Sequence, residues 1–275
     1  MAKIVNTLPR GKYKIIFLIA LLVFISSVSV FTNAIEPNGA SINATRSERA
    51  NASQPTSQEA QAGNVTQLNI FAYSTTQSWQ GYFGNVSGVI QLADSNSYAL
   101  YNWSLANPQG EVYASTNATI SWTNIQCFNY TATGTYTNEA GNGGTVNLYG
   151  TNLTLLESQF GIKNTSVDGV DETFTLIHGG AGQHDEFYTA NKQFSEGECI
   201  STRLFSNTGT GENDKFEEVL LYEPTTASII FTALIEPENV AGFDGNDYDF
   251  EMLVLENGRN GDTATTTYYF FVELE

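Results

Sequence analysis

The 275-residue chain is poor in positive charge, with 11 Lys and Arg against 29 Asp and Glu and a formal net charge of -18 at pH 7. Binding nucleic acid requires a basic footprint that neutralises phosphates, so that class of partner is excluded, and anionic lipid surfaces are disfavoured for the same reason. Charged residues of both signs make up only 15% of the sequence while Phe, Trp and Tyr make up 12%, so the acidity does not imply disorder of the folded part. It reads as a solvated acidic shell over an aromatic core. Cysteine and histidine are equally scarce: Cys127, Cys199, His178 and His184 are all there are. Two thiols are too few for a cysteine-based zinc site without histidine help. In an exported chain they are most simply one disulfide, which closes a long loop and contributes about 4 kcal/mol in the chain-entropy picture. Such a bond favours a continuous architecture. There is no G-x-S-x-G elbow to activate a serine and no Gly-Lys loop to cradle phosphate. Paired carboxylates for glycoside hydrolysis stay open, because the separation they require is a three-dimensional quantity.

The N-terminus carries Lys3, Arg10, Lys12 and Lys14, then the apolar run Ile15 to Val30 and the small-residue ending Thr32-Asn33-Ala34. Residues 1–34 are therefore expected to be a secretory signal cleaved after Ala34, or a retained membrane anchor whose basic end stays in the cytoplasm. A third fate, pilin-type cleavage at Arg10-Gly11, is disfavoured by Lys12 and Lys14. All three export the rest, so localisation is extracellular or at the cell surface. Residues 35–66 are mainly Ser, Thr, Asn, Ala, Gln and Gly. With so little to bury they are expected to form a flexible linker. Addition of this segment as a strand to a neighbouring copy is an alternative that its weak β-propensity disfavours.

From residue 67 to 275 the pattern is one of short alternating runs. Strands are expected at Leu68–Tyr73, then in a hairpin in which Val86, Gly88, Ile90 and Leu92 form one face and Ala99, Tyr101, Trp103 and Leu105 the returning one. Asp94-Ser95-Asn96-Ser97 and Asn107-Pro108-Gln109-Gly110 supply turn chemistry. Further strands are expected at Val112–Tyr113, Ala118–Cys127, Thr145–Tyr149, Leu153–Leu156, Thr173–Ile177, Cys199–Phe205, Glu217–Tyr222, Ala227–Ile235, Phe250–Leu255 and Thr266–Leu274, with a minor helix at Leu155–Phe160. Regular spacing of this kind predicts an all-β, antiparallel β-sandwich of Ig-like or jelly-roll-like type, continuous or made of two subdomains fused near residue 165. The stretch Trp79–Trp103 is read as its structural nucleus, with the apolar positions facing the core.

Two gradients run along this part. The glycan acceptor pattern occurs at Asn43, Asn51, Asn64, Asn85, Asn102, Asn117, Asn129, Asn152 and Asn164 and stops there. Acidity rises in the opposite direction, with 22 Asp and Glu against four basic residues over positions 166–275. Two loops carry candidate chemistry. His178, His184, Asp185 and Glu186 combine imidazole with carboxylates, at a spacing that matches no known metal motif. Asp244, Asn246, Asp247, Asp249 and Glu251 gather the side-chain oxygens that Ca2+ prefers, although Asp-Gly-Asn-Asp is also ordinary turn chemistry.

The block W-x-G-Y-F-G-N-V-S-G-x-I-x-L at Trp79–Leu92, with L-Y-N-W at Leu100–Trp103 and T-Y-Y-F-F-V-E-L at Thr267–Leu274, resembles a group of exported archaeal cell-surface proteins. The resemblance implies an envelope setting and glycosylation, and it brings no catalytic residues. The expectation is a non-catalytic, secreted or membrane-anchored surface glycoprotein with a structural, adhesive or filament-assembly role, whose partners are envelope components or further copies. The alternatives are a carbohydrate-binding module that stacks sugars on Trp79, Tyr82, Trp103 or Trp122, and a secreted hydrolase with acidic catalytic residues.

Overall fold

The computed structural model describes residues 36–130, 134–137, 143–146, 153–163, 165–176, 183–238, 240–257 and 265–275. The fold is all-β and sandwich-like, with 35% strand and 6% helix, and its sheets are antiparallel with no barrel. In chain order the strands are β1 (Asn38–Gly39), β2 (Trp79–Gly84), β3 (Val89–Ala93), β4 (Ala99–Ser104), β5 (Gly110–Ser115) and β6 (Gln126–Cys127). They continue with β7 (Gly134–Thr137), β8 (Gly143–Val146), β9 (Phe187–Thr189), β10 (Lys192–Phe194), β11 (Ser201–Arg203) and β12 (Glu217–Glu223). The last five are β13 (Ser228–Leu234), β14 (Val240–Ala241), β15 (Asp247–Tyr248), β16 (Phe250–Leu255) and β17 (Tyr269–Leu274).

Seven of these form the main sheet, in the order β1-β17-β5-β13-β12-β11, with β6 also paired to β12. Its central strands read as near-continuous apolar runs because both faces are covered. On β12, Leu220 and Tyr222 enter one core while Val219 and Leu221 enter the other. The same division separates Val112 and Ala114 from Tyr113 on β5, and Phe270 and Val272 from Phe271 on β17. The first core is closed by Met252, Val254 and Leu255 of β16, by Trp79 and Tyr82 of its partner β2, and by Leu156 and Phe174. The second is closed by Trp122, Ile125, Phe187 and Phe194. Cys127 and Cys199 form the expected disulfide, with a sequence separation of 72. Because β13 occupies one edge of β12, β6 and β11 share the other, and the bond staples these two short pieces end to end along it.

Several expectations are corrected. Residues 68–73 form no strand and are exposed, with no strand paired to them among the described residues. The segment expected as one strand at 118–127 contains a 3-10 turn at Trp122–Asn124 that drives the indole into the core and leaves only β6 as strand. Leu153–Gln159 is helical throughout, so the strand expected at 153–156 does not exist and the minor helix starts earlier. A helical turn at Val170–Thr173 ends where the next strand was expected; of that strand only an isolated bridge at Leu176 forms, and Ile177 lies outside the described residues. Asn147 to Tyr149 also lie outside them.

The Trp79–Trp103 stretch splits. Trp79–Gly84 pairs with β16 and packs on the core, whereas β3 and β4 pair only with each other and project outward. The turn between them behaves as read: Asp94 Oδ1 accepts from the amides of Asn96 and Tyr98, both at 2.9 Å. Nor is the acidity only a shell. Glu111, Glu157, Glu217, Glu218, Glu223, Glu251 and Glu273 are all buried.

Candidate functional site

Three regions of the molecule hold chemistry, and the first is an acidic cavity. The start of β5, the loop before β9, the start of β12 and the end of β13 converge on a volume of about 260 Å³ lined by Glu111, Asp185, Glu186, Glu217, Glu236 and Glu275. Backbone amides hold three of these carboxylates, Glu111, Glu217 and Glu236. Glu217 accepts from the amides of Asp185 at 2.6 Å and Asp214 at 3.3 Å, and Glu236 accepts from that of Phe216 at 2.5 Å. Burial pushes Glu217 and Glu236 up to about 7, and burial together with the nearby Glu273 pushes Glu111 up to about 9. Perturbed carboxyls in a cleft are a recurring mark of function. Here, however, the amide contacts of Glu217 occupy both of its oxygens, which suits a fixed acidic wall better than a mobile acid or base.

His184 is fully buried, and its two nitrogens are taken up internally. Nε2 accepts from the Cys199 amide at 2.9 Å, which places the proton on Nδ1 for the 2.7 Å bond to the Asp185 carbonyl. Burial lowers its pKa, so the ring is a neutral structural link with no lone pair left for a metal. Asp185 and Glu186 reach the cavity, and His178 lies outside the described residues.

The second region concerns cations. In the 244–251 loop, Asp244 accepts from the Asn246 amide at 3.0 Å and the Tyr248 hydroxyl at 3.0 Å, and its Oδ2 lies 3.6 Å from Arg46. Asp249 accepts from the Val86 amide at 2.6 Å and Glu251 from the Phe243 amide at 2.9 Å, while Asp247 lies in β15. The loop thus uses these carboxylates to hold its own turn and the start of the exposed hairpin. Among the described residues, the three acidic groups whose ligand atoms approach within 4.8 Å of one another are Glu157, Asp171 and Glu172. None was singled out in the sequence, because Glu157 lies on a different helix from the other two.

The third region is the β3–β4 hairpin. Its register places Ile90 opposite Trp103 and Leu92 opposite Tyr101, which makes these four one face. That face is open: Trp103 is 49% and Tyr101 60% exposed, with ring centroids 4.9 Å apart. The other candidate aromatics behave differently. Trp122 is buried, and Trp79 donates its indole N–H to the Asp168 carbonyl at 2.9 Å while packing on Phe174 and Phe231. Tyr82 packs edge-on against Phe270. Val65, Leu68, Ile70, Phe71 and Tyr73 add further exposed apolar surface. Between Glu59 and Glu111 the sequence has one charged residue, Asp94. Most of the large exposed apolar side chains among the described residues therefore fall in a nearly uncharged part of a strongly acidic chain.

Of the glycan acceptors, Asn43, Asn51, Asn64, Asn85 and Asn102 are exposed and Asn129 is half-buried. Asn117 is half-buried too, with its amide nitrogen donating to Ser228 at 3.0 Å. Asn152 and Asn164 lie outside the described residues. No family model, curated protein or solved structure matches this chain. Among the described residues no helix is long and apolar enough to cross a membrane.

Proposed function

We propose that the chain is a non-catalytic, exported cell-surface glycoprotein, secreted or anchored through residues 1–34, with a structural, adhesive or filament-assembly role. One observation carries the reading: the apolar face of the β3–β4 hairpin is open and, like the exposed residues 65–73, lies in a part of the sequence almost free of charge. An open apolar face such as that of Ile90, Leu92, Tyr101 and Trp103 marks contact with another macromolecule. A two-stranded sheet also leaves both outer edges unpaired, and this one has neither the lysines nor the prolines that block edge pairing. Repulsion between copies of so acidic a protein is weakest where charge is missing. The export pattern of the N-terminus and the five exposed acceptors support the same setting. Immunolabelling of intact native cells tests it: ordered labelling of filaments or of a surface layer is expected, and label confined to the cytoplasm overturns it.

A second reading, carbohydrate binding, is favoured by the open Tyr101 and Trp103 rings, since adjacent exposed aromatics are the stacking platform that sugars use. A glycan array separates the two. Saccharide binding that is lost in Trp103→Ala supports the sugar platform, and self-association without saccharide binding supports assembly.

A further inference from the structure

We propose that Glu157, Asp171 and Glu172 form a binding site for a hard divalent cation, with calcium the best match. This site is separate from the hairpin and does not depend on the reading of its role. Glu157 projects from the helix Leu153–Gln159, and Asp171 and Glu172 belong to the helical turn Val170–Thr173. The ligand atoms of the three lie within 4.8 Å of one another. Proximity alone is common among acidic residues. Here Glu157 is only 1% exposed, and while its Oε1 accepts from the Val170 amide at 3.1 Å, its Oε2 has no hydrogen-bond partner among the described residues. Asp171 Oδ1 is a second buried oxygen without a partner. Bare carboxylate oxygens this deep are costly, and a second negative charge beside them raises the cost.

Among the described residues no cation is paired with the trio to offset this cost. The ion pairs found among the described residues join Arg46 to Glu48 and Asp244, Arg203 to Glu217, and Lys215 to Glu212, and none involves the trio. Protons are the other means of neutralisation. A proton shared between two carboxyls satisfies one oxygen on each and leaves the others bare. A hard cation takes several oxygens at once, which matches an all-oxygen donor set with no histidine or thiolate.

The backbone leaves room for these carboxylates at Gly169. This residue has an ordinary φ of -76°, so glycine is not required there for its conformation. A Cβ at that position would instead collide with the carboxylates of Glu172 and Glu157. The consequence for the fold is local and specific. The same loop supplies Asp168, which accepts from the Thr76 hydroxyl at 2.8 Å, the Ser78 hydroxyl at 3.1 Å and the Trp79 indole, so an ion that fixes the loop also fixes the point where the exposed N-terminal segment joins the core.

The test uses the full chain in mild detergent after exhaustive chelation. Calcium is titrated by calorimetry and by melting, and terbium is followed through luminescence sensitised by Tyr130, whose hydroxyl donates to the Phe174 carbonyl at 2.7 Å beside the cluster. One ion per chain and a rise in melting temperature are expected, with magnesium giving a smaller rise. Glu157→Gln risks the fold, so the deciding variant is Asp171→Asn/Glu172→Gln. It should melt like the wild type in chelator and lose about tenfold or more in calcium affinity. Tyr130→Phe should dim the terbium signal without weakening calcium binding. Three results overturn the proposal: no heat and no melting shift at millimolar calcium; the same shift produced by sodium chloride of equal ionic strength; or binding that survives in Asp171→Asn/Glu172→Gln and is lost in Asp244→Asn/Asp249→Asn.

Discussion

Glu111 and Glu273 face each other directly across the β5–β17 ladder, a position in which two like charges destabilise a sheet. Both are buried, and both meet the hydroxyl of Tyr113, at 3.3 Å and 3.2 Å. Glu111 also accepts from the Tyr188 amide at 3.3 Å and Glu273 from that of Ala190 at 2.9 Å. One phenol cannot neutralise two carboxylates, so the pair persists by keeping a proton. That is why burial, reinforced by Glu273, holds Glu111 near 9, and why burial also raises Glu273. Glu273→Gln removes the like charge and retains an acceptor oxygen. It should raise the stability of the folded chain by about 1 kcal/mol at pH 8, and the gain should shrink toward pH 4 as protons neutralise the native pair. Chemical denaturation of both proteins at the two pH values checks this; equal stability at pH 8 would show that the pair is not under strain there. At the same scale, Glu218 is fully buried, with one oxygen accepting from the Leu253 amide and the other unpartnered, and burial pushes its pKa far up. It too belongs to the fold as a neutral acid.

Residues 89–104 are all exposed and none belongs to either core, whereas Val86 just before them packs on the first core and is tied to Asp249. Replacing residues 89–104 by a short Gly-Ser link should therefore leave the melting temperature within about 3 °C of the parent, while any assembly or saccharide binding is lost. Differential scanning calorimetry beside sedimentation analysis reads both effects. The disulfide should behave in the opposite way. Cys127→Ala/Cys199→Ala frees two short pieces from the edge of β12 and should cost roughly 2–5 kcal/mol, seen as a lower denaturant midpoint.

The contrast between these elements also explains what could be read in advance. Strands β12, β13 and β17 were legible because apolar residues of both parities follow one another at Val219–Tyr222, Ile229–Phe231 and Tyr269–Val272, and cover on both faces follows from that. The hairpin was legible as a hairpin, down to the Asp94 turn. Its exposure was not, because alternation shows which residues share a face and is silent about what covers it. Leu153-Thr154-Leu155-Leu156 reads equally well as strand or helix over so short a run, and the packing of Leu156 into the core decides in favour of the helix. The buried glutamates were invisible for a further reason: an acid count carries no record of which backbone amides will meet each carboxylate. The Glu157 trio is assembled by the loop that brings two helical pieces together, a purely tertiary fact.

Taken over the whole molecule, these carboxyls invert the usual response to acid. In many proteins the folded state lowers carboxyl pKa values through ion pairs, so stability is lost as pH falls. Here the cited groups are shifted upward, from 4.5 to about 7 for Glu217, Glu236 and Glu251 and to about 9 for Glu111, with burial the first cause in each. A group that holds its proton more tightly when folded contributes stability that is fully present below its unfolded pKa and is lost as pH rises through the folded value. The loss therefore runs from about pH 4.5 through 7 and on toward 9. Acidification also neutralises part of the -18 charge, most of it carried by residues 166–275, and relieves self-repulsion in the compact state. Both effects have the same sign. The melting temperature should rise by about 5 °C or more between pH 8 and pH 5 at constant ionic strength. Salt provides the control that separates them, because screening reduces long-range repulsion at the surface and leaves burial untouched. If 0.5 M salt abolishes the pH dependence, net charge is its source; if most of it survives, the buried glutamates are.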